Sequence, residues 1–347
     1  MRFVAAHATS IIARLHAGAV ALACASSAGA ADQHSVLAPA GPQAGHIHAL
    51  WLLMLGVCTL VMVAITIAVL LAVHHASRAD AAPGGATKRA EPLAHRAVAV
   101  AIGVSVVLLV GLFGATVLVD RALAQLPLTD AVHIRLTGHQ WWWEARYDDP
   151  RPENVFATAN ELHIPVGRPV ILTLEADDVI HSFWVPSLGG KKDMIPGRTA
   201  TLALRADAPG LYRGQCAEFC GYQHAKMILL VVAESPSGYA AWLDRERATA
   251  RPPTDETARK GQQVFMESTC AMCHAVAGTD ANGQHAPDLT HVASRQTLGA
   301  GALPNAPSAL AAWIADPQRI KPGVKMPPHA FEPDEMQALI AYVQTLR

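Results

Sequence analysis

The sequence has little charge. Asp, Glu, Lys and Arg make up only 16% of its 347 residues, whereas 51% are hydrophobic. So apolar a composition argues against an ordinary soluble protein, and the length predicts two or three domains. An excess of either sign is also missing, because the formal net charge is −1. A chain without a basic field has no electrostatic means of attracting nucleic acid, which argues against nucleic-acid binding.

Charge is absent altogether from two long stretches. No Asp, Glu, Lys or Arg occurs between Asp32 and Arg78, or from Ala97 to Val119. As helices, residues 49–73 and 97–119 would each cross the ~30 Å hydrocarbon core of a bilayer. The connection between them has more basic than acidic residues, which favours the cytoplasmic side. The sequence therefore predicts a two-pass hairpin over residues 45–120, with the remainder of the chain on the outer side.

An export signal precedes the first span. Arg2 and Arg14 come before a small, apolar run, and Ala28-Gly-Ala30 resembles a signal-peptidase cleavage site. We predict that residues 1–30 are a signal peptide. Lipoprotein processing at Cys24 is the alternative.

Beyond the hairpin, short segments rich in alternating or β-branched residues are separated by Pro, Gly and Asp. Residues 128–235 are thus predicted to form a β-sandwich or small barrel. A domain of this size buries a core without help from disulfides, so its cysteines are free for chemistry.

A loop near the middle of the chain concentrates soft metal ligands. Cys216, Cys220, His224 and Met227 lie within twelve residues. Thiolate, imidazole and thioether suit copper better than magnesium or calcium, which prefer oxygen. A disulfide is the rival interpretation for an exported protein, but it does not explain the His and Met. The loop supplies only one histidine, so His181 is the predicted upstream ligand. The base-and-orienter arrangement of a thiol hydrolase is not evident beside either thiol, which argues against nucleophilic catalysis.

The C-terminal part carries a second signature. Cys270-Ala-Met-Cys273-His274 is typical of c-type haem attachment, with thioethers from both cysteines and iron bound by His274. Met326, in a Pro-rich loop, is the predicted sixth iron ligand. Zinc or a thioredoxin-type pair fits poorly, since no second ligand pair or βαβ context follows. A linker over residues 236–256 is predicted to precede this domain, residues 257–347. Its last helix should bury a stripe at helical spacing: Met336, Leu339, Ile340, Val343 and Leu346.

Together these features resemble subunit II of haem-copper cytochrome c oxidases, in the variety with a fused class I cytochrome c. The resemblance covers residues 45–235 and rests on the segments 138–144, 178–186, 195–198 and 210–227. It implies three parts: a transmembrane helical hairpin, an all-β cupredoxin-like sandwich holding the dinuclear CuA centre, and an all-α cytochrome c domain. The roles it implies are Cys216 and Cys220 as bridging thiolates, His181 and His224 as terminal imidazoles, Met227 and the backbone carbonyl of Glu218 as weak ligands, the Glu218 side chain as a magnesium or manganese ligand, and Trp141 as the point of electron entry.

The resemblance further implies a place in a respiratory complex of the bacterial inner membrane. The chain would receive electrons from a donor such as cytochrome c and pass them to subunit I, with subunit III as another partner and both outer domains in the periplasm. A CuA-bearing nitric oxide reductase subunit is an alternative that the neighbouring catalytic subunit would decide. A copper storage or assembly protein is another. Glu91 stands near the family's proton-channel glutamate, but the Trp that usually follows is missing, so a solvated loop position remains open.

Overall fold

The computed structural model describes residues 34–79 and 87–347. The predicted signal peptide and the alternative processing site at Cys24 lie outside this part of the chain. Two long helices come first, α1 (Pro42–Ala79) and α2 (Thr87–Leu123), and α2 includes position 91. Residues 42–75 and 94–123 are long and apolar enough to cross a membrane, and the predicted spans lie within them. The large apolar side chains along both helices are exposed, as expected of a surface covered by lipid.

Residues 132–234, called the β-domain below, form two sheets packed face to face, and their strands β6 and β7 form a third, two-stranded sheet. A five-stranded sheet has the order β3-β2-β1-β5-β8, and a three-stranded sheet has the order β4-β10-β9. The strands are β1 (Val132–His139), β2 (Trp142–Tyr147), β3 (Phe156–Ala159), β4 (Glu161–Pro165), β5 (Val170–Ala176), β6 (His181–Phe183), β7 (Lys192–Met194), β8 (Ala200–Leu204), β9 (Gly210–Gln215) and β10 (Ile228–Glu234).

Period-2 patterning explains why these segments are strands. In β5, for example, Val170, Leu172 and Leu174 are buried while the residues between them are partly exposed. The buried faces of both sheets meet in one core, in which Trp143 is the largest fully buried side chain. Interdigitation of two inner faces is the usual core of a sandwich. The predicted β-sandwich is confirmed.

The segment predicted as a linker is largely packed. Helix α3 (Pro236–Glu246) begins after Ser235, whose hydroxyl accepts a hydrogen bond from Gly238 N. Tyr239 and Trp242 on α3 are buried in the core of the β-domain, and Trp242 stacks on His163 with ring centroids 4.2 Å apart. Only a short connection is therefore left between the two outer domains, because burial of the aromatic side chains fixes α3 on the β-domain.

Residues 256–347, called the C-terminal domain below, are mainly helical. Helices α4 and α8 are the first and last long elements and they cross each other, as expected of a class I cytochrome c. Of the predicted stripe, Leu339, Val343 and Leu346 are buried in the core with Tyr342, whereas Met336 and Ile340 are partly buried against it; Leu346 lies just beyond the end of α8. The elements are α4 (Glu256–Glu267), α5 (Cys270–Cys273), β11 (Thr297–Leu298), β12 (Leu303–Pro304), α6 (Pro307–Ala315), α7 (Pro317–Ile320) and α8 (Pro333–Val343).

The crossing of α4 and α8 depends on Gly261. A Cβ atom at this position would lie 1.9 Å from the carbonyl oxygen of Ala338 and 2.8 Å from Cβ of Tyr342. Because the first of these is a backbone atom, a side chain forces the helices apart rather than displacing a flexible group.

We predict that Gly261→Ala lowers the free energy of unfolding of the C-terminal domain by at least about 1–3 kcal/mol, the usual cost of overpacking. Thermal unfolding of the full chain, followed by haem absorbance, measures the effect. Arg259→Ala, an exposed position on the same helix, is the control and should leave the midpoint nearly unchanged. Equal midpoints for the two variants would contradict a crossing that requires glycine.

Candidate functional site

The ligand loop, residues 216–227, connects β9 to β10. These two strands pair in antiparallel register from Gln215 with Ile228 onward, and the amide of Cys216 donates to the carbonyl of Met227 at 3.0 Å. The loop is thus closed at its base by the sheet itself. A short 3-10 turn, His224–Lys226, completes it. Strand pairing therefore brings the first and last predicted ligands together although eleven positions separate them.

Within this loop, the predicted ligands converge. Sγ of Cys220 lies 3.6 Å from Nδ1 of His224 and 3.8 Å from Sδ of Met227. Sγ of Cys216 lies 3.1 Å from the carbonyl oxygen of Glu218. Cys216, Cys220 and Met227 are buried, whereas Glu218 and His224 are partly exposed. The Glu218 carbonyl faces the sulfur atoms, as its predicted role requires.

His181 reaches the ligand cluster from the two-stranded sheet of β6 and β7. Its Nδ1 lies 3.9 Å from Sγ of Cys216, and its side chain is fully buried. It is the first residue of β6. The ligand atoms of His181, Cys216 and Cys220 all lie within 4.8 Å of one another. Since nitrogen and sulfur ligands bind at ~2.0–2.3 Å from a metal, this spacing suits a shared ion.

Asp178 orients His181, a role that sequence reasoning missed. Its Oδ1 lies 2.9 Å from Nε2 of His181, which leaves Nδ1 facing the sulfur atoms. Burial disfavours the carboxylate, but hydrogen bonds from His181 and from the amides of Gln140 and Val179 outweigh burial and lower the pKa of Asp178 to about 2. A carboxylate behind a histidine ligand fixes its tautomer and strengthens it. The spacing of three residues between Asp178 and His181 was the available signal.

Both thiols are free rather than joined in a disulfide, so the rival interpretation of the loop finds no support here. The Cys220 thiol lowers the pKa of Cys216 to about 3, while the proximity of Cys216 raises the pKa of Cys220. A stabilised thiolate is the form that binds metal. Two sulfurs, two imidazoles and a thioether fit a soft metal ion much better than a hard one.

Trp141 lies directly beneath this cluster. It occupies the turn between β1 and β2 and is only 6% exposed. Its Nε1 donates to the carbonyl of Cys220 at 2.8 Å, and Nε2 of Gln140 donates to the same oxygen. Of its neighbours, Trp143 belongs to the core and Trp142 stacks on His139. Trp142 and Trp143 begin β2 and point to opposite faces of its sheet, whereas Trp141 precedes the strand.

A cavity of about 290 Å³ lies on the other side of Trp141. It is mostly apolar, and its lining includes Cys270, Cys273, His274 and Met326 together with Trp141. The cavity therefore lies between the two outer domains, with the β-domain contributing part of one wall. The predicted attachment and axial residues all face one space, as a bound haem c requires.

His274 is prepared as an iron ligand. Its Nδ1 lies 2.7 Å from the carbonyl of Pro287, which places the proton on Nδ1 and leaves Nε2 for metal. Burial lowers the pKa of His274 and favours the neutral ring. The loop that carries Met326 is also fixed, because Nε2 of Gln318 donates to the carbonyls of Val324 and Met326 at 2.7 and 2.9 Å.

Two family models match parts of this chain. Residues 151–234 match the family model for the cytochrome c oxidase subunit II periplasmic domain, and residues 258–347 match that for cytochrome c. The first match lies within the β-domain and the second within the C-terminal domain. The predicted fold classes of these two domains are confirmed. A copper centre is implied by the first family and haem by the second, and the donor sets described above fit both groups.

Two curated relatives of this chain are named cytochrome c oxidase subunit 2. Cytochrome c oxidase subunit 2 of Alkalihalophilus pseudofirmus is 42% identical over 219 residues, which are 63% of this chain and 62% of that protein. Its counterpart in Bacillus sp. strain PS3 is 33% identical over 231 residues, 63% of each chain. The chain thus spans less than two thirds of the length of these relatives. A crystal structure of the periplasmic domain of Bradyrhizobium japonicum oxidase subunit II is 30% identical and covers 35% of this chain and 97% of its own, with a TM-score of 0.32.

Gly138 gives a direct test of the His181 position. A Cβ atom at Gly138 would lie 2.9 Å from Cδ2 of His181. We predict that Gly138→Ala displaces the imidazole and weakens metal binding by about 10–100-fold, as loss of an outer-shell partner does. Metal retained after dialysis against a graded chelator measures this. Thr137→Ala, on the opposite face of β1, should retain metal as the unsubstituted chain does; similar losses in both variants would contradict the assignment.

Proposed function

We propose that this chain is the electron-entry subunit of a respiratory haem-copper cytochrome c oxidase. The chain accepts electrons from a reduced external donor and passes them, through its own haem c and a dinuclear CuA centre, to the haem-copper site of subunit I. There oxygen is reduced to water with proton translocation. One observation carries the proposal: Trp141 lines the cavity of the C-terminal domain and also hydrogen-bonds to the carbonyl of Cys220.

The proposed copper ligands are those that converge in the β-domain. His181 and His224 provide terminal imidazoles, and Cys216 and Cys220 provide bridging thiolates; Met227 and the Glu218 carbonyl are weak ligands. A thiolate-bridged copper pair supplies reversible one-electron storage when bound. The chain's own contribution is to hold the donors still, by burial and by the Asp178–His181 hydrogen bond, so that ligands move little when the charge changes.

The proposed haem ligands belong to the C-terminal domain. Cys270 and Cys273 would make the thioethers, and His274 and Met326 would bind the iron. A thioether ligand favours the reduced iron and raises the reduction potential. The apolar lining of the cavity acts in the same direction, because it disfavours the additional positive charge of the oxidised state.

Trp141 is the proposed path between the two centres. Its indole is buried between the haem cavity and the sulfur cluster, and its Nε1 bond leads to the backbone of a copper ligand. Within the oxidase, the Glu218 side chain is proposed to bind magnesium or manganese at the contact with subunit I, and subunit III is a further proposed partner. The helices α1 and α2 are proposed to anchor the chain in a bacterial inner membrane, with both outer domains in the periplasm.

Metal stoichiometry tests the copper assignment. We expect the full chain to bind two coppers and one covalent haem, with an electron paramagnetic resonance spectrum of one unpaired electron shared by two coppers. Because both metals depend on both thiolates, Cys216→Ser should remove both coppers. Cys58→Ser, an exposed free cysteine on α1, should retain both. Loss of only half the copper, or a single Cu(I) without the shared signal, would instead support a mononuclear or storage site.

Redox titration tests the axial ligand. Met326→Ala should lower the haem potential by a sizeable part of the ~0.8 V range that axial ligands span, because the reduced iron loses the thioether that stabilises it. The control is Met272→Ala, whose side chain lies between the attachment cysteines but is 70% exposed; its potential should stay close to that of the unsubstituted chain. An unchanged potential in Met326→Ala would mean that another residue binds the iron.

A further inference from the structure

The two outer domains meet through a set of polar contacts that centre on the loop carrying Met326. Nε2 of Gln223 donates to the carbonyl of Pro322 at 2.8 Å, and Nζ of Lys226 donates to that of Ile320 at 2.7 Å. The amide of Ile228 donates to the carbonyl of Ala300 at 3.1 Å. The C-terminal domain therefore packs directly against the ligand loop of the β-domain and the first residue of β10.

Lys321 is the one buried ammonium group among the cross-domain contacts of the described residues. It is 1% exposed. Its Nζ donates to the carbonyl of Trp141 in the β-domain at 2.6 Å and to the carbonyl of Gly299 in the C-terminal domain at 2.8 Å. No carboxylate partner is among these contacts. Burying a lysine is costly unless its amine donates hydrogen bonds. The buried position of Lys321 therefore depends on both carbonyl acceptors.

The position of Lys321 along the chain allows its contact to affect the loop that carries Met326. Lys321 follows α7 directly and begins the loop that ends at Met326. Two residues later, Gly323 takes a positive φ of 89° and passes so close to the indole of Trp141 that a Cβ would lie 3.2 Å from the ring. Val324 then packs against the core of the β-domain. The loop thus contacts Trp141 from Lys321, the first residue of the loop, onward.

Because of the bonds made by Gln318, a fixed Lys321 also fixes the loop from residue 321 to Met326. Gln318 binds the carbonyls of Val324 and Met326 and accepts from the amide of Gly323 at 2.8 Å, so the loop moves as one body with α7. A shift at Lys321 is carried to Met326 rather than absorbed by the intervening residues. The same amine therefore touches the backbone of the proposed electron relay and positions the segment that bears the proposed iron ligand.

We propose that Lys321 is a positioning residue that locks the C-terminal domain onto the β-domain, holding the Met326 loop against Trp141 in the arrangement used for electron transfer. The assignment rests on the proposed function for its redox consequence, but the docking itself does not. It makes the interdomain pose a built feature of the chain rather than a transient encounter at the end of a tether.

Lys321→Met tests the proposal, because Met keeps an unbranched apolar stem and removes the amine. In the full chain in detergent, we expect amide hydrogen exchange to become at least tenfold faster both in the turn around Trp141 and in the loop from residue 321 to 326. We expect haem-to-copper electron transfer after flash reduction to slow at least tenfold. Covalent haem content should not change.

The matched control is Lys325→Met. This lysine is in the same loop and lies 3.8 Å from Asp178 across the same interface, but it is 68% exposed. An exposed ion pair contributes little, so exchange and transfer rates should stay within twofold of those of the unsubstituted chain. Equal effects of the two substitutions would show that lost charge, rather than the buried contact, is responsible, and would overturn the proposal.

Lys321→Gln distinguishes docking from folding. Gln keeps a donor on a shorter side chain, so intermediate exchange and transfer rates are expected. If both substitutions instead destroy the covalent haem or the Met–iron absorption band, Lys321 is a core residue of the C-terminal domain and the proposal fails. Unchanged exchange in Lys321→Met also overturns it. Absence of copper from the unsubstituted chain would refute the proposed function alone, since the exchange measurement needs no copper.

Discussion

The hydrogen bond from Nε1 of Trp141 to the carbonyl of Cys220 is the contact on which the arrangement of this chain depends. Three separate segments converge on one indole: the turn between β1 and β2, the ligand loop, and the loop that carries Met326. In each of the two hydrogen bonds made by Trp141 to these loops, a side-chain donor meets a backbone carbonyl. A buried ring with a satisfied donor is rigid, and a rigid ring sets the relative position of the segments that touch it.

The connection between the outer domains is correspondingly short. Burial of Tyr239 and Trp242 assigns α3 to the β-domain, and the amide of Ala250 already binds the carbonyl of Ala277 in the C-terminal domain. A flexible tether would act by raising the local concentration of a donor domain. Here the domains share an interface and a cavity wall, so the relevant quantity is the stability of one pose rather than the frequency of encounters.

Local patterns in the sequence were sufficient for much of this architecture. The uncharged runs predicted two apolar helices, alternation predicted the strands, and fixed spacing predicted that Cys216, Cys220, His224 and Met227 would lie together. Residues that act across the chain were not predictable in this way. Gly138 and Lys321 carry no local signature of their role, since each is defined by what another segment brings near it, and Asp178 offered only its spacing of three residues from His181. The extent of the linker was overestimated for the same reason: its aromatic residues find their burial only in the folded β-domain.

The chemistry of the Lys321 contact has one more consequence. Its amine donates hydrogen bonds to main-chain oxygens and to no side chain of the β-domain. Replacement of the indole at position 141 would therefore remove the Nε1 hydrogen bond and the proposed electron relay, but it would leave the acceptor of the Lys321 amine in place. The Lys321 contact and the proposed relay thus use different atoms of Trp141.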